Sequence, residues 1–125
     1  MMVISFDKID KALEQLKKAV DQSSHNDLER DGTIQRFEYT IELLWKISKK
    51  VLAENGITVV APKEVIRELA NIGWIDNPDE FINFLKMRNE TSHSYKEEIA
   101  NMVYAASKNF VPACLNLINT LKKKV

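Results

Sequence analysis

Apolar residues recur along the chain at spacings of three and four, and the alternation that a half-buried strand needs is nearly absent, so the pattern predicts helices throughout. The first predicted helix runs from about Ser5, a candidate cap, and places Ile9, Leu13, Leu16 and Val20 on one face with Lys8, Glu14 and Lys18 off it. It dissolves into a polar connector from Asp21 to Asp27. Asp31 is the candidate cap of a long second helix, whose stripe is Ile34, Phe37, Ile41, Leu44, Trp45, Val51 and Leu52. Asn55-Gly56 closes it, because glycine accepts the left-handed conformation that ends helices. Residues Ile57 to Val60 are β-prone, but the chain offers no second strand, and the segment reads as a loop.

Pro62 suits the first turn of a short third helix carrying Val65, Ile66, Leu69 and Ile72, and Gly73 supplies its stop. Asn77-Pro78-Asp79-Glu80 then writes a helix start in full: a cap, a proline at the first helical position and acids over the positive end of the dipole. This fourth helix presents Phe81, Phe84 and Leu85 to the core and runs towards Thr91-Ser92. A last helix is expected from the capping-box spacing Ser94-Tyr95-Lys96-Glu97, through Ile99, Met102, Val103, Ala106, Phe110, Leu117 and Leu121, with Pro112 interrupting it. Four main helices and one short one, joined by modest loops, predict an all-α antiparallel up-and-down four-helix bundle with one additional short helix.

Length and charge narrow the function. The 125 residues match one domain, 1–125, with no repeat or linker. Eighteen basic residues balance eighteen acidic ones, so any contact with RNA must use a local patch rather than bulk charge. The start of the chain lacks a basic region followed by a long apolar run, and no run approaches a membrane span, which predicts a cytoplasmic protein with no membrane association. The single cysteine, Cys114, and two distant histidines, His25 and His93, offer no metal spacing, and the isolated glycines form no phosphate loop. No metal and no cofactor are expected. Trp45 and Phe37 read as core, Glu42 and Lys46 as a solvated pair four residues apart, His25 as surface, and Lys122-Lys123-Lys124 as a frayed tail.

One segment departs from the pattern. Helical spacing carries the stripe of Phe81, Phe84 and Leu85 onto position 88, which is Arg88. Asn89 stands beside it, His93 follows in the expected connector, and Tyr95 lies in the first turn of the expected last helix. Polar chemistry thus gathers at one inter-helix corner. RNA can be cleaved without metal by its own 2′-hydroxyl, given a group that moves protons and a fixed cation that offsets charge on phosphorus; histidine and arginine suit these two roles. A single histidine serves poorly as both acid and base, and a symmetric dimer supplies a second.

The wording Arg88-Asn89-x-Thr91-Ser92-His93-x-Tyr95 resembles the R-x4-H-x-Y motif of HEPN-domain proteins, in particular the HepT-like group described as nucleotidyltransferase substrate-binding proteins. The stretch from Ile34 to Lys46 is similar to that group's long second helix. The resemblance implies a homodimer with the motif facing its partner, and a minimal nucleotidyltransferase encoded by a neighbouring gene. It further implies that Arg88 and His93 are a metal-independent ribonuclease pair with Asn89 as the polar neighbour, and that Tyr95 is the hydroxyl adenylylated by the transferase. Two functions remain open: a ribonuclease toxin of a two-gene module, and a non-catalytic subunit that presents substrate, or its own Tyr95, to the transferase. A helical dimer with no site is the third and weakest reading.

Overall fold

The structure, a computed structural model, describes residues 3–22, 26–93 and 96–125, with Ser92 and His93 described in their backbone alone. Its helices are α1 (Asp7–Val20), α2 (Asp27–Glu54), α3 (Pro62–Asn71), α4 (Pro78–His93) and α5 (Glu97–Lys122), and no strand occurs among the described residues. The all-α fold class is as expected, and several boundaries move for identifiable reasons.

Ser5 Oγ accepts the Asp7 N–H at 3.3 Å, but Phe6 holds the cap position of α1. Asp31 lies inside α2 rather than at its start. The cap is Asn26, whose Oδ1 accepts the Glu29 N–H at 2.8 Å while the Glu29 carboxylate accepts the Asn26 N–H at 3.5 Å. This capping box begins within the polar stretch that reads as connector, ahead of the first apolar stripe residue. Gly56 and Gly73, at φ of 83° and 80°, close α2 and α3 as expected. After each, the next N–H reaches back into the last turn, Ile57 to the Leu52 carbonyl and Trp74 to that of Leu69, both at 2.9 Å.

Asn77 caps α4 through the Glu80 N–H at 3.3 Å. That helix continues through His93, which belongs to it rather than to a connector. α5 starts at Glu97, with Lys96 in the cap position and no side-chain cap, later than the expected start at Ser94. Ser94, Tyr95 and His25 lie outside the described residues. Pro112 stands inside α5 without ending it; both it and Lys108, whose carbonyl loses its donor, are exposed, so water can replace the missing bond.

α2 touches every other helix. Its start adjoins the start of α5 through Arg30 and Glu97, and near its end Asn55 Nδ2 donates to the Lys124 carbonyl at 3.2 Å, so the two longest helices run side by side in one direction. α1 runs against α5, with Lys122 Nζ 3.0 Å from Asp10 Oδ2. Lys124 lies over the partly buried Trp74, 5.5 Å from the ring centroid, so Lys122 and Lys124 are engaged rather than frayed. α3 packs on α2 and α4.

The core centres on Phe37 of α2, Phe84 of α4 and Phe110 of α5. These rings meet edge to face, with centroids 5.1 Å (37 to 110), 5.2 Å (84 to 110) and 6.4 Å (37 to 84) apart. Cys114 is buried beside them in the same cluster, and burial pushes its thiol pKa up. No helix among the described residues is long and apolar enough to cross a membrane.

Candidate functional site at the end of the fourth helix

Arg88 sits one helical turn beyond Phe84, so the aromatic cluster fixes the stretch of α4 from which it projects. Its guanidinium does not simply snorkel to solvent. Nη2 stands 3.3 Å from Oε1 of Glu42 on α2, and Nη1 donates to Asn89 Oδ1 at 3.3 Å. The other carboxylate oxygen of Glu42, Oε2, accepts the indole N–H of Trp45 at 2.9 Å. Thr91 Oγ1 donates to the Arg88 carbonyl at 2.7 Å, a bond that stays within the helix. Both sides of the Arg88–Glu42 pair are about one third exposed, at 31% and 30%.

This geometry overturns the expected Glu42–Lys46 pair. The spacing of the two residues favours a local ion pair worth only about 0.2–0.5 kcal/mol. The tertiary partner Arg88 takes Glu42 instead, and Lys46 lies over the Trp45 ring, 5.9 Å from its centroid. Trp45, read as core, is partly buried against it with its N–H committed to Glu42. Of the expected site residues, the structure brings Arg88 and Asn89 together. It places the backbone of His93 at the last residue of α4, five residues on, which in an α-helix is about 7.5 Å along the axis and about 1.4 turns around it. The His93 side chain and Tyr95 lie outside the described residues.

A second anchor flanks the same segment. Arg30, its side chain only 11% exposed, binds the Glu97 carboxylate through both amino nitrogens and reaches Asn101 Oδ1 at 3.3 Å. Asp31 Oδ1 accepts from it at 3.1 Å and 3.2 Å, and Asp27 lies 3.7 Å away. The hydrogen bond to Glu97 above all holds the guanidinium pKa above its usual range, so Arg30 stays charged. Only the Asp27 to Arg30 spacing hints at this cation's role in the sequence, since Glu97 lies 67 residues away. α2 therefore grips the motif on both sides, α4 at Glu42 and the start of α5 at Arg30.

Between these anchors a groove of about 680 Å³ opens beside Thr91. Four carboxylates line it, Asp27, Asp31, Glu38 and Glu97, against the two cations Arg30 and Lys96. The first turn of α5 carries Glu97 and Glu98, which themselves answer the helix dipole. The groove is thus no electrostatic seat for a polyphosphate strand. No cluster of three or more metal-ligating side chains occurs among the described residues.

A model of the family described as "Nucleotidyltransferase substrate binding protein like" matches residues 4–123. The chain belongs to the nucleotidyltransferase substrate-binding protein-like family. A Haemophilus influenzae relative named "Probable ribonuclease HepT" is 32% identical over 98 residues, which cover 74% of this chain and 67% of the relative. A Thermus thermophilus structure superposes with a TM-score of 0.86 at 29% identity, covering 90% of this chain and 98% of that one. A Haemophilus influenzae structure reported as "the fold of a substrate binding domain of a nucleotidyltransferase" superposes at 0.83 with 28% identity, covering 94% and 99%. The expected HepT-like family resemblance and the all-α bundle fold are borne out together.

Proposed function

We propose that this family member is a metal-independent endoribonuclease of the HepT type, acting as a toxin in a two-gene module with a minimal nucleotidyltransferase. The observation that carries the reading is the arginine at the end of α4, partly exposed and held by Glu42 and Asn89, with His93 ending the same helix. In the reaction the RNA 2′-oxygen attacks phosphorus and the bond to the 5′-oxygen breaks, leaving a 2′,3′-cyclic phosphate and a 5′-hydroxyl. His93 takes the 2′-hydroxyl proton, a second His93 from the partner of a homodimer protonates the leaving oxygen, and Arg88, steadied by Asn89, offsets charge on the pentacoordinate phosphorus. Tyr95 is the hydroxyl that the transferase adenylylates from ATP with release of pyrophosphate, closing the site.

The test is incubation of the purified protein with cellular RNA in EDTA, comparing wild type with His93→Ala and identifying the new 3′ ends. Cyclic phosphate that vanishes in the variant establishes the reaction and assigns His93. Intact RNA from a folded dimer rejects it.

One observation favours a second reading, a non-catalytic subunit that docks the transferase. The acidic groove beside Thr91, with Leu28 81% exposed near its rim, suits a basic protein surface better than RNA. Tight co-purification with the transferase, together with normal growth when the chain is expressed alone, selects this alternative.

A further inference from the structure

The long second helix contributes more than packing to this corner. Glu42 shares its carboxylate between two elements: Oε1 meets Arg88 Nη2 at 3.3 Å, and Oε2 accepts from Trp45 Nε1 at 2.9 Å. The indole fixes the plane of the carboxylate, and the carboxylate in turn fixes the guanidinium. An arginine side chain has many rotamers to lose when it takes up a phosphate, and a partner that already holds it removes that cost before substrate arrives.

We propose that Glu42, oriented by Trp45, is a positioning residue for Arg88, setting the direction of the guanidinium and the net charge of the site presented to RNA. The inference rests on the ribonuclease reading above. Its charge effect separates ground state from transition state. With Glu42 present, Arg88 belongs to a neutral pair and attracts a resting phosphodiester weakly. As phosphorus becomes pentacoordinate and gains negative charge, the aligned guanidinium meets it without reorganising. Removing the carboxylate therefore lowers both kcat and KM, whereas simple loss of folded protein lowers the apparent rate at constant KM.

Glutamine at this position keeps the size but offers one oxygen where two are used, so it cannot accept from both Trp45 and Arg88. Phenylalanine at position 45 keeps the ring and removes only the N–H. The experiment measures kcat, KM and their pH dependence on a defined RNA oligonucleotide for wild type, Glu42→Ala, Glu42→Gln, Trp45→Phe and the double variant Glu42→Ala/Trp45→Phe, each with its thermal melt. The ¹⁵N guanidinium signal of Arg88 is recorded alongside.

Glu42→Ala is expected to lose about tenfold to a hundredfold in kcat, as befits one charge-assisted contact. Glu42→Gln falls between it and wild type. Trp45→Phe loses about threefold to tenfold in the wild-type background and nothing further once Glu42 is gone. The pH limb of His93 persists in every variant, and the Arg88 guanidinium signal, sharp in wild type, averages out in Glu42→Ala. The proposal is overturned by wild-type kcat in Glu42→Ala, by a loss that matches the loss of folded protein, by an equal Trp45→Phe effect in both backgrounds, or by disappearance of a pH limb with Glu42, which would make the carboxylate a proton carrier. A wild-type chain that leaves RNA intact rejects the ribonuclease reading alone. The guanidinium signal then decides the inference by itself, which stands if the signal averages out in Glu42→Ala and falls if it does not.

Discussion

Two arginines meet carboxylates at opposite edges of the same corner, and they are built for different work. Arg30 is enclosed by Asp27 and Asp31 of its own helix and by Glu97 of α5, and little of its side chain reaches solvent. Arg88 is held by Glu42 of α2 and by its neighbour Asn89, and nearly a third of its side chain meets solvent. A cation surrounded by several carboxylates repels phosphate as part of a negative cluster and serves to join helices. One that keeps nearly a third of its side chain in solvent can be aimed at a ligand. With the ribonuclease reading proposed above, the contrast gives Arg30 to the fold and Arg88 to the chemistry, a division that residue type alone does not reveal.

The largest test of that contrast is Arg88→Ala. Loss of the cation at the reacting phosphate is expected to reduce RNA cleavage by about 10²–10³-fold or more, with little change in the melting temperature. Arg88→Lys should fail to restore it, because an ammonium lacks the planar fork. Initial rates against melting curves decide the point, and an unfolded Arg88→Ala protein would place this residue with Arg30. Next in size is Phe84→Ala, which opens the three-ring cluster one turn below Arg88 and should cost about 3–5 kcal/mol in chemical denaturation. A smaller value would mean that α4 is held to the bundle by something other than this ring.

Arg30→Met should lower the melting temperature by less than Phe84→Ala does, while cleavage per folded molecule falls far less than in Arg88→Ala. Equal effects on cleavage from the two arginines would erase the distinction. The smallest effect concerns pH. Burial raises the Cys114 pKa in the folded chain, whereas the unfolded thiol ionises near about 8.5. The unfolded state therefore sheds the proton first, and stability falls as pH rises beyond that value. Denaturation midpoints from pH 7 to 10 should slope downward in wild type and flatten in Cys114→Ala.

What could be read from the sequence follows from the range of the forces involved. The caps and stops at Asn77, Gly56 and Gly73, and the core positions Phe37, Phe84 and Phe110, obey local rules, and the structure agrees with them. The start of α2 escaped because Leu28 is exposed and its first turns carry no apolar stripe, so periodicity had nothing to register until Ile34. α4 outran its stripe in the same way, with polar residues carrying the helix on to His93. Arg88 stood out because a cation falls on an apolar face, and Asn89 only as its neighbour. Glu42 was not, since the nearest opposite charge in sequence, Lys46, supplied a sufficient local partner, and the pairing with α4 spans 46 residues.

The distance between Arg30 and Glu42 along α2 carries a consequence for how this protein can vary. Twelve residues of α-helix separate their backbones by about 18 Å and turn them about 120° apart, one towards α5 and the other towards α4. Substitutions on the outer surface between them leave that spacing intact. Insertion or deletion of a single residue there rotates one anchor by about 100° relative to the other, so that no side-chain change at either end can recover both contacts. α2 therefore works as a gauge of fixed length, tolerant in the lettering of its outer surface and intolerant in its count.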